Sequence, residues 1–458
     1  MTSPFTLTLH TCLASRRRGF AIVIVLWAVA FLGVLLVTIQ VSSWRQAAAG
    51  REALARSRAY WAARAGVETM VARIQAESRQ TSPVSTVALL GTLANESDGT
   101  VSGGASWRIE HTVRAQIQPG LVDAHAKLNV NLLQFADLML LPDMTEDAAY
   151  SIVDYIDADD TPNLQGAENE TYTTQPIPYN ARNSPIRSLG ELDLVFGVQP
   201  VYVRGLDNDL NNLISPMEQA SDGPASLTAR SATSADSGWG EIITASSTTS
   251  AITPTGDDKI DLTVAQSSEL SALLGVNSQQ AELLLAFAQS GATDMTDYIA
   301  QTMPQIVARV RQTQQAAGRA VLPANTQVAE LTRPQLSALY DSCTLGNPKA
   351  VKPGKLNINT ADASVFEYLA SLQTTLADEI IAFRDGAGGE VASIVDLLDI
   401  PGMSRAQLAA LARLMDVRSN VFIATCKGRD DVSGIEVEIV VEIDRSTLPI
   451  TFRSIQVK

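Results

Sequence analysis

The sequence contains little of the material from which most enzyme sites are built. Of its 458 residues only three are histidine and three are cysteine, and aromatic residues make up 5%. Neither histidine nor cysteine occurs with the spacing of a zinc site, and the chain has no Gly-x-Ser-x-Gly elbow and no Walker loop. We therefore expect a protein that is not an enzyme and has no organic cofactor.

Positive charge is also scarce outside the N-terminal region. The formal net charge is −15, yet residues 1–19 carry three arginines and no acid, and residues 20–79 have a net charge of +4. Residues 80–458 therefore carry −22. Because nucleic-acid phosphates require a basic surface, the charge distribution disfavours binding to DNA or RNA.

One long uncharged segment lies near the N-terminus. Arg16, Arg17 and Arg18 precede Gly19, and residues 20–41 are apolar except near their end. As a helix, these 22 residues would cover about 33 Å, which matches a hydrocarbon core of about 30 Å. The segment exceeds the apolar region of a secretory signal. We predict a transmembrane helix at 20–41, with residues 1–19 in the cytoplasm because positive flanks stay there.

Residue periodicity changes twice along the rest of the chain. Val67, Met70, Val71 and Ile74 share one face of a helix, so we predict a spine helix at 42–82 whose apolar face meets partner helices. Residues 83–120 and 419–458 show the alternation of half-buried antiparallel strands, including a single run from Trp107 to Ile117. If these strands form one sheet, the helical middle is an insertion in it.

The middle contains a repeat. Lys127–Asn131 recurs as Lys355–Asn359 and, more weakly, as Lys259–Thr263, and the first and last copies precede similar helix-hairpin-helix segments with Gly197 and Gly402 in the turn. We expect Asn131 and Asn359 to cap helices. The Ser- and Thr-rich residues between the copies are typical of a flexible linker.

The helix-hairpin-helix pattern supports an alternative function, a pilin-like protein for DNA binding or DNA uptake. Such hairpins often hold phosphate beside basic side chains. Here Arg204 and Arg405 are the basic residues nearest the two hairpins, and acidic residues surround the second. Without a basic stripe, counterion release does not drive binding, so we expect no nucleic-acid partner.

The junction Arg18-Gly19-Phe20 resembles the class III leader of type IV pilins and type II secretion pseudopilins. Ile24 occupies the fifth mature position, where the major subunits carry glutamate. That difference, the Asn-x-Asn segments and the acidic run 154–160 followed by Gly166-Ala167-Glu168 resemble the K-type minor pseudopilin (GspK) family of type II secretion.

The resemblance implies a series of properties. A prepilin peptidase would cut between Gly19 and Phe20, the new N-terminus would be methylated, and the protein would sit in the bacterial inner membrane with its bulk in the periplasm. Its partners would be the I- and J-type minor pseudopilins, the major pseudopilin and the inner-membrane secretion platform. Because Ile24 lacks the carboxylate thought to pair with the subunit ahead, the protein would occupy the filament tip and help export folded proteins.

Five acidic residues bracket a Pro- and Gly-containing loop; they are Asp154, Asp157, Asp159, Asp160 and Glu168. Carboxylates this close repel each other, and a hard divalent cation that takes six to eight oxygen ligands relieves the repulsion. The resemblance implies that this ion is calcium. The spacing of these five residues does not match an EF-hand, and a solvated acidic loop is the alternative.

Cys343 and Cys426 are the cysteines outside the leader. In an oxidising compartment they could form one disulfide, and separate buried thiols are the alternative. The expected fold is α+β: an N-terminal helix on an antiparallel pilin-like sheet, interrupted by a helical domain. The predicted segments are the leader 1–19, the membrane helix 20–41, the spine 42–82, the sheet 83–120 and 419–458, the helical units 121–218, 259–350 and 351–418, and the linker 219–258.

Overall fold

The computed structural model describes residues 18–79, 84–113, 116–220, 238–318, 322–323, 328–386 and 390–458. The chain divides into two compact units, residues 1–57 and residues 58–458. Helix α1 spans Arg18–Glu77. Its N-terminal part is long and apolar enough, by length and composition, to cross a membrane, and side chains 20–54 are exposed. The predicted long N-terminal helix is present, and its crossing of a membrane stays a prediction.

The second unit contains a sheet and a helical lobe. The strands are β1 (Asp98–Val101), β2 (Ala105–Val113), β3 (Gln116–Pro119), β4 (Val122–Asp123), β5 (Leu128–Asn129), β6 (Ile243–Thr244), β7 (Ile260–Asp261), β8 (Cys343–Thr344), β9 (Leu356–Asn357), β10 (Met415–Asp416), β11 (Val421–Asp430), β12 (Glu436–Asp444) and β13 (Thr451–Val457).

The helices that follow α1 are mostly short. They are α2 (Thr86–Asn95), α3 (Phe135–Leu138), α4 (Glu146–Ile156), α5 (Asn169–Thr173), α6 (Pro200–Arg204), α7 (Pro216–Ala220), α8 (Ser267–Leu274), α9 (Ser278–Ser290), α10 (Thr296–Ala300), α11 (Met303–Ala316), α12 (Arg333–Ser342), α13 (Thr374–Gly386) and α14 (Arg405–Leu411). Short 3-10 turns occur at Ala124–Ala126, Val130–Leu132, Leu189–Leu194, Trp239–Glu241, Ala363–Tyr368 and Ile394–Asp399.

The large sheet joins strands from both ends of the second unit. Its order is β1-β2-β11-β12-β13, with β3 paired to β2 and β4 paired to β11, and every pair is antiparallel. The chain therefore leaves the sheet after β4 and returns at β11. The predicted α+β fold, with a helical insertion inside a pilin-like sheet, is confirmed.

The last turns of α1 pack on this sheet. Small residues and aliphatic residues of the helix are fully buried against Trp107, Ile109 and Cys426. The helix comes so close at Gly66 that a Cβ atom there would lie 2.6 Å from the Trp107 ring. Val67, Met70 and Ile74 therefore form core contacts, and the prediction that their face is open to partner helices is wrong.

The strand expected from Trp107 to Ile117 is also interrupted. Trp107 and Ile109 are buried in β2, but Val113 and Ile117 are exposed because β2 ends at 113 and β3 turns back along it. Residues 114 and 115 lie outside the described residues. The alternating pattern continues across a turn, so sequence periodicity alone did not separate the two strands.

The helical lobe consists of three units with a common closure. Each begins with a two-residue strand formed by one copy of the repeat and ends with a two-residue strand parallel to it: β5 with β6, β7 with β8, and β9 with β10. Apolar side chains from all three units form one continuous core. The repeat is therefore a structural one, and the weaker copy at Lys259 belongs to it.

The first unit extends beyond its predicted end at residue 218. Its closing strand is β6, and residues 242–248 are buried although they are rich in Ser and Thr. Asn129 donates to the Ser247 backbone and hydroxyl at 3.0 and 2.9 Å, and Ser246 donates to Glu442 at 2.7 Å. The predicted flexible linker is therefore wrong for residues 238–258, while residues 221–237 lie outside the described residues.

The two Asn-x-Asn segments have different roles from those predicted. The first asparagine of each segment accepts a hydrogen bond from the backbone N–H two residues later, Asn129 from Asn131 and Asn357 from Asn359. The second asparagine of each segment donates to the backbone carbonyl and accepts from the backbone N–H of one residue far along the chain. That residue is Ile186 for Asn131 and Val391 for Asn359. Asn131 and Asn359 are therefore staples across each unit, not caps.

The disulfide considered for Cys343 and Cys426 is not formed. Both are free, buried thiols. Cys343 lies in the core of the helical lobe, whereas Cys426 lies between α1 and the sheet. Burial raises the pKa of each thiol to about 12, so both are protonated at neutral pH.

Candidate metal centre in the first helical unit

Helix α4 positions the first acidic residues. Thr145 caps its N-terminus by accepting from the backbone N–H of Ala148 at 3.4 Å, and Glu146 and Asp147 in the first turn interact favourably with the helix dipole. The apolar side of the helix, including Ile152 and Tyr155, packs into the lobe core. Asp154 lies on this buried side, so its carboxylate is held under the loop that follows.

Three carboxylates converge at this point. Asp154, Asp157 and Glu168 each place one oxygen so that all three lie within 4.8 Å of one another. Glu168 is 3% exposed, and neither of its carboxylate oxygens has a hydrogen-bond partner among the described residues. Oδ1 of Asp157 is also buried and has no hydrogen-bond partner among the described residues. Buried polar atoms in folded proteins nearly always have a partner, so this donor set fits an oxygen-seeking cation.

The electrostatics agree with the geometry. Burial, followed by the charges of Asp154 and Asp157, raises the pKa of Glu168 to about 7. Burial also raises the pKa of Asp154 and the pKa of Asp157. Each carboxylate therefore resists ionisation, first because it is buried and then because neighbouring carboxylates add negative charge.

The surrounding loop is shaped to bring these groups together. Asn163 donates to Asp154 from its backbone N–H at 3.1 Å and from its side-chain amide at 2.5 Å. A Cβ atom on Gly166 would overlap Oδ2 of Asp154. Only glycine therefore allows the loop to cross this close to the carboxylate.

Asp159 and Asp160 are not part of the converging set. Asp160 accepts from the amides of Asn169 and Asn183 at 2.5 and 2.9 Å, and Asp159 accepts from the backbone N–H of Thr161. They close the loop and add negative charge near Glu168. The structure thus brings together three of the five carboxylates predicted from the sequence.

A second converging set was not predicted. Asp207, Asp209 and Glu218 also place carboxylate oxygens within 4.8 Å of one another. The signal was present in the sequence as Asp-x-Asp-x-Asn at residues 207–211. These residues lie outside the acidic run at 154–168 on which the predicted site was based.

The basic residues of the two hairpins are already engaged. Arg204 forms an ion pair with Asp193 at 2.5 Å, and Arg405 donates to the Gln301 carbonyl at 2.9 Å and lies 3.8 Å from Glu330. Gly197 and Gly402 have φ values of +80° and +88°, so the hairpin turns are alike. Neither arginine is directed to an external phosphate, and the geometry gives the DNA-binding alternative no support.

The predicted processing residues lie at the start of α1. Gly19 is within the helix, and Phe20 and Ile24 are exposed. Residues 1–17 of the predicted leader lie outside the described residues. Processing itself is not tested by the fold, and it stays a prediction.

Comparison with known proteins finds one family model that matches the first helical unit. The family model "Type II secretion system (T2SS), protein K", first domain, matches residues 119–208, which include the acidic loop and its three converging carboxylates. This part of the chain is therefore similar to the first domain of the type II secretion system protein K family. A relative named type II secretion system protein K, from Pectobacterium carotovorum subsp. carotovorum, is 25% identical in an alignment of 219 residues that covers 42% of this chain. The aligned part spans 62% of that relative, less than two thirds of its length.

Two further similarities are weaker or more local. The crystal structure of the GspK-GspI-GspJ complex from the enterotoxigenic Escherichia coli type 2 secretion system contains a similar chain, with 12% identity, coverage of 89% of this chain and 99% of that chain, and a TM-score of 0.43. We draw no residue correspondence from a similarity at this level. A helix-hairpin-helix motif model matches residues 351–415, which form the third helical unit.

Proposed function

We propose that this chain is a protein K family member, a minor pseudopilin that caps the tip of the periplasmic pseudopilus and helps it assemble for export of folded proteins. The observation that carries the proposal is the architecture: a lobe matched to protein K is inserted in an antiparallel sheet that packs on the end of a helix with an apolar N-terminal part. No enzymatic step is part of this role.

The N-terminal part of α1 would anchor the protein in the inner membrane. The arginines at positions 16–18 place the N-terminus in the cytoplasm, and the acidic bulk of the chain then lies in the periplasm. Prepilin peptidase would remove residues 1–19, and Phe20 would become the methylated N-terminus. Intact mass and N-terminal sequencing of the membrane-extracted protein test this step, and Gly19→Ala should retain the leader.

Ile24 supports the place at the tip. A subunit without a carboxylate at the fifth mature position has no charge to pair with a subunit ahead of it, so it fits only the leading end. Ile24→Glu would put an unpaired carboxylate in the bilayer, at a cost of roughly 2 to 3 kcal/mol on insertion scales. This variant should impair assembly.

The face of α1 opposite the sheet is the surface we assign to the I- and J-type minor pseudopilins. Since Val67, Met70 and Ile74 are buried against the sheet, we choose Trp61, an aromatic side chain of α1 that is 62% exposed. Tryptophan is enriched among residues that dominate binding energy at interfaces. Contacts with the major pseudopilin and the secretion platform would follow from filament assembly.

We also propose that calcium is the cation held by Asp154, Asp157 and Glu168. Three carboxylates and the surrounding loop supply hard oxygen donors, which calcium prefers. Calcium would neutralise the buried charge and order the loop between residues 157 and 168. Its role would be structural.

One preparation tests the function against the DNA-binding alternative. The detergent-solubilised protein should retain I- and J-type minor pseudopilins in a pull-down, and it should not shift labelled duplex or single-stranded DNA in a gel. Trp61→Ala should weaken retention tenfold or more, since such anchors contribute about 2 kcal/mol, whereas the matched control Val432→Ala, an exposed side chain on a sheet turn, should not. Salt-sensitive DNA binding without pseudopilin association would overturn the proposal.

A further inference from the structure

The helical lobe and the sheet have separate hydrophobic cores, and a polar junction connects them. One core fills the lobe, and the other lies between α1 and the sheet. We define the junction as residues 123–126, 246–249 and 352–355, none of which belongs to either core. Hydrogen bonds cross it: Ser419 donates to Asp123, Thr248 donates to Asp444, and Asn420 donates to the Thr248 carbonyl. Because water can replace such bonds, the junction can open at less cost than either core.

His125 lies inside this junction. It is in the 3-10 turn that follows β4, where the chain leaves the sheet, and it is 1% exposed. Nδ1 of its ring lies 2.9 Å from the Lys355 carbonyl. Because a carbonyl only accepts, Nδ1 carries the proton and donates it. This bond links the exit from the sheet to the start of the third helical unit.

The other ring nitrogen of His125 is unsatisfied. Nε2 is buried and has no hydrogen-bond partner among the described residues. With the proton on Nδ1, Nε2 is an acceptor in the neutral ring and becomes a second donor in the charged ring. A buried charged donor without an acceptor is costly. The closed junction therefore accommodates the neutral imidazole and disfavours the imidazolium.

The backbone of the third unit covers the imidazole closely. A Cβ atom on Gly354 would lie 2.6 Å from Cε1 of His125. The Gly354 N–H donates to the Ser247 carbonyl at 2.8 Å, and the Thr249 N–H donates to the Lys352 carbonyl at 3.1 Å. Opening these two backbone bonds is therefore the direct way for water to reach a charged imidazole.

Three carboxylates face His125 from different strands. Burial lowers the pKa of His125, and Asp123 of β4, Asp416 of β10 and Asp444 of β12, with the Lys355 carbonyl, offset this only in part. In an open junction the hydrated ring has an ordinary pKa of about 6.5. Below that pH the open junction takes up a proton more readily than the closed one, so the closed junction loses stability as pH falls.

The other charged groups of these segments have different partners or the opposite pH trend. The cations are engaged: Lys355 donates to the Ala412 carbonyl, Arg418 pairs with Asp341, and Arg445 donates to the Ser419 carbonyl. Glu442 of β12 accepts from Ser246, and burial raises its pKa. Acidification therefore favours the closed junction through Glu442 and the open junction through His125.

We propose that His125 is a pH-sensitive switch that holds the junction closed while its ring is neutral and releases residues 352–355 when Nε2 is protonated. In the open junction the imidazolium is hydrated, and residues 246–249 separate from residues 352–355. Both hydrophobic cores stay intact, so the lobe gains freedom relative to the sheet without unfolding.

Hydrogen–deuterium exchange of the full-length protein in detergent tests the switch at pH 7.5 and pH 5.0, with the same calcium concentration. The measured quantity is the protection factor of wild type divided by that of His125→Asn, which keeps an amide donor and does not titrate. The division cancels Glu442 and the pH dependence of intrinsic exchange. In segments 246–251 and 350–356 this ratio should fall by up to about thirtyfold at pH 5.0, as a pKa of about 6.5 in the open state requires. In α9 and in residues 105–109 it should stay constant.

His111→Asn is the matched control. His111 also contacts a backbone carbonyl through Nδ1, that of Gly120 at 3.1 Å, but it lies in β2 outside the junction. Its ratio in the two junction segments should not change with pH. The proposal is overturned by a constant ratio for His125→Asn, by an equal fall in α9, or by a fall of the same size for His111→Asn.

Wild type alone decides if His125→Asn does not fold. Slow exchange of the Cε1 hydrogen reports the pKa of each histidine in the folded protein. The junction segments should lose protection relative to α9 in the pH range where His125 takes up its proton, and the pKa of His125 should lie below 6.5. A pKa of 6.5 or above, or no loss of protection in that range, contradicts the switch.

Discussion

The first and third helical units contain the same hydrogen bonds but differ in the length of chain between the bonded residues. In both, a second asparagine bonds the backbone N–H and carbonyl of one distant residue, and a serine caps the next turn, Ser188 in the first unit and Ser393 in the third. The separation is 55 residues from Asn131 to Ile186 and 32 from Asn359 to Val391. The extra length of the first unit includes the acidic loop.

This difference separates the scaffold from the site. The staple and the serine cap occur in a unit with an acidic cluster and in a unit without one, so they serve folding. Among the described residues of these two units, converging carboxylates occur only in the longer one. We therefore assign cation binding to the additional segment of the first unit. The second unit lacks the staple, because Thr263 occupies its position and contacts Asp261 instead.

The largest effect should come from the staples. Asn131→Ala or Asn359→Ala leaves a backbone N–H and a carbonyl without their partners, and each unsatisfied buried group costs about 1 to 3 kcal/mol. We expect a loss of about 2 to 4 kcal/mol in the free energy of unfolding for either variant, with or without calcium. Thr263→Ala, at the matching position of the second unit, should cost less than about 1 kcal/mol. Chemical unfolding in detergent measures all three.

An outcome in which Asn131→Ala is costly and Asn359→Ala is neutral would break the equivalence of the two units. It would mean that the acidic loop, not the staple, holds the first unit together.

Calcium should stabilise the first unit, which has the carboxylate cluster, and not the third unit, which shares its asparagine hydrogen bonds. A ligand that binds only the folded state stabilises it by about 2.7 kcal/mol at a hundredfold excess over Kd. We expect such a shift in wild type and a reduced shift in Glu168→Gln. Without calcium, Glu168→Gln should be more stable than wild type at pH 8, because the neutral amide removes a buried charge. Glu170→Gln, the exposed control, should behave as wild type. Equal melting with calcium and with chelator would make the acidic run a solvated loop.

The sequence predicted the scaffold better than the site. Alternation in β12 correctly marked Ile439, Val441 and Ile443 as buried, because a strand's two faces are encoded locally. The repeat was also visible. The role of Asn131 was not, because a capping asparagine and a stapling asparagine look the same until the partner, here Ile186, is placed in space.

Burial explains the other failures. Ser246 and Thr248 are typical of linkers, but Glu442 and Asp444 of the sheet satisfy their hydroxyls, so the segment packs inside. Similarly, the apolar face of α1 containing Val67 was visible in the sequence, but the sequence did not show whether sheet or partner covers it. The local sequence indicates which side chains prefer burial, and contacts with residues far along the chain decide which of them are buried.

The pH dependence that Glu168 contributes should be a smaller effect. The pKa of Glu168 is about 7 in the folded protein and about 4.3 when unfolded. The folded state therefore keeps a proton that the unfolded state loses, so the contribution of this group to stability is full below about pH 4.3 and is lost as pH rises through about 7. Calcium should consequently stabilise most above pH 7 and least near pH 5.

Buried His125 has the opposite trend, since burial lowers its pKa, and stability from this group is lost as pH falls below about 6.5. Measuring wild type minus Glu168→Gln across pH 4 to 8 with chelator cancels the contribution of His125. A flat difference would show that Glu168 does not titrate in this window.

The smallest expected effect concerns the hairpins, where the third unit matches a helix-hairpin-helix motif and the first has a similar turn. Arg405→Gln removes a 3.8 Å ion pair with Glu330, both partly exposed, and such pairs contribute about 0 to 1 kcal/mol. Arg204→Gln loses a closer pair with Asp193 and should cost slightly more.

Because both arginines contact groups of this chain, neither variant should alter DNA binding, which we expect to be undetectable in wild type at physiological salt. If the third unit bound DNA and the first did not, Arg405→Gln would lower that affinity and its salt slope, and the shared hairpin would then differ in function as well as in surroundings.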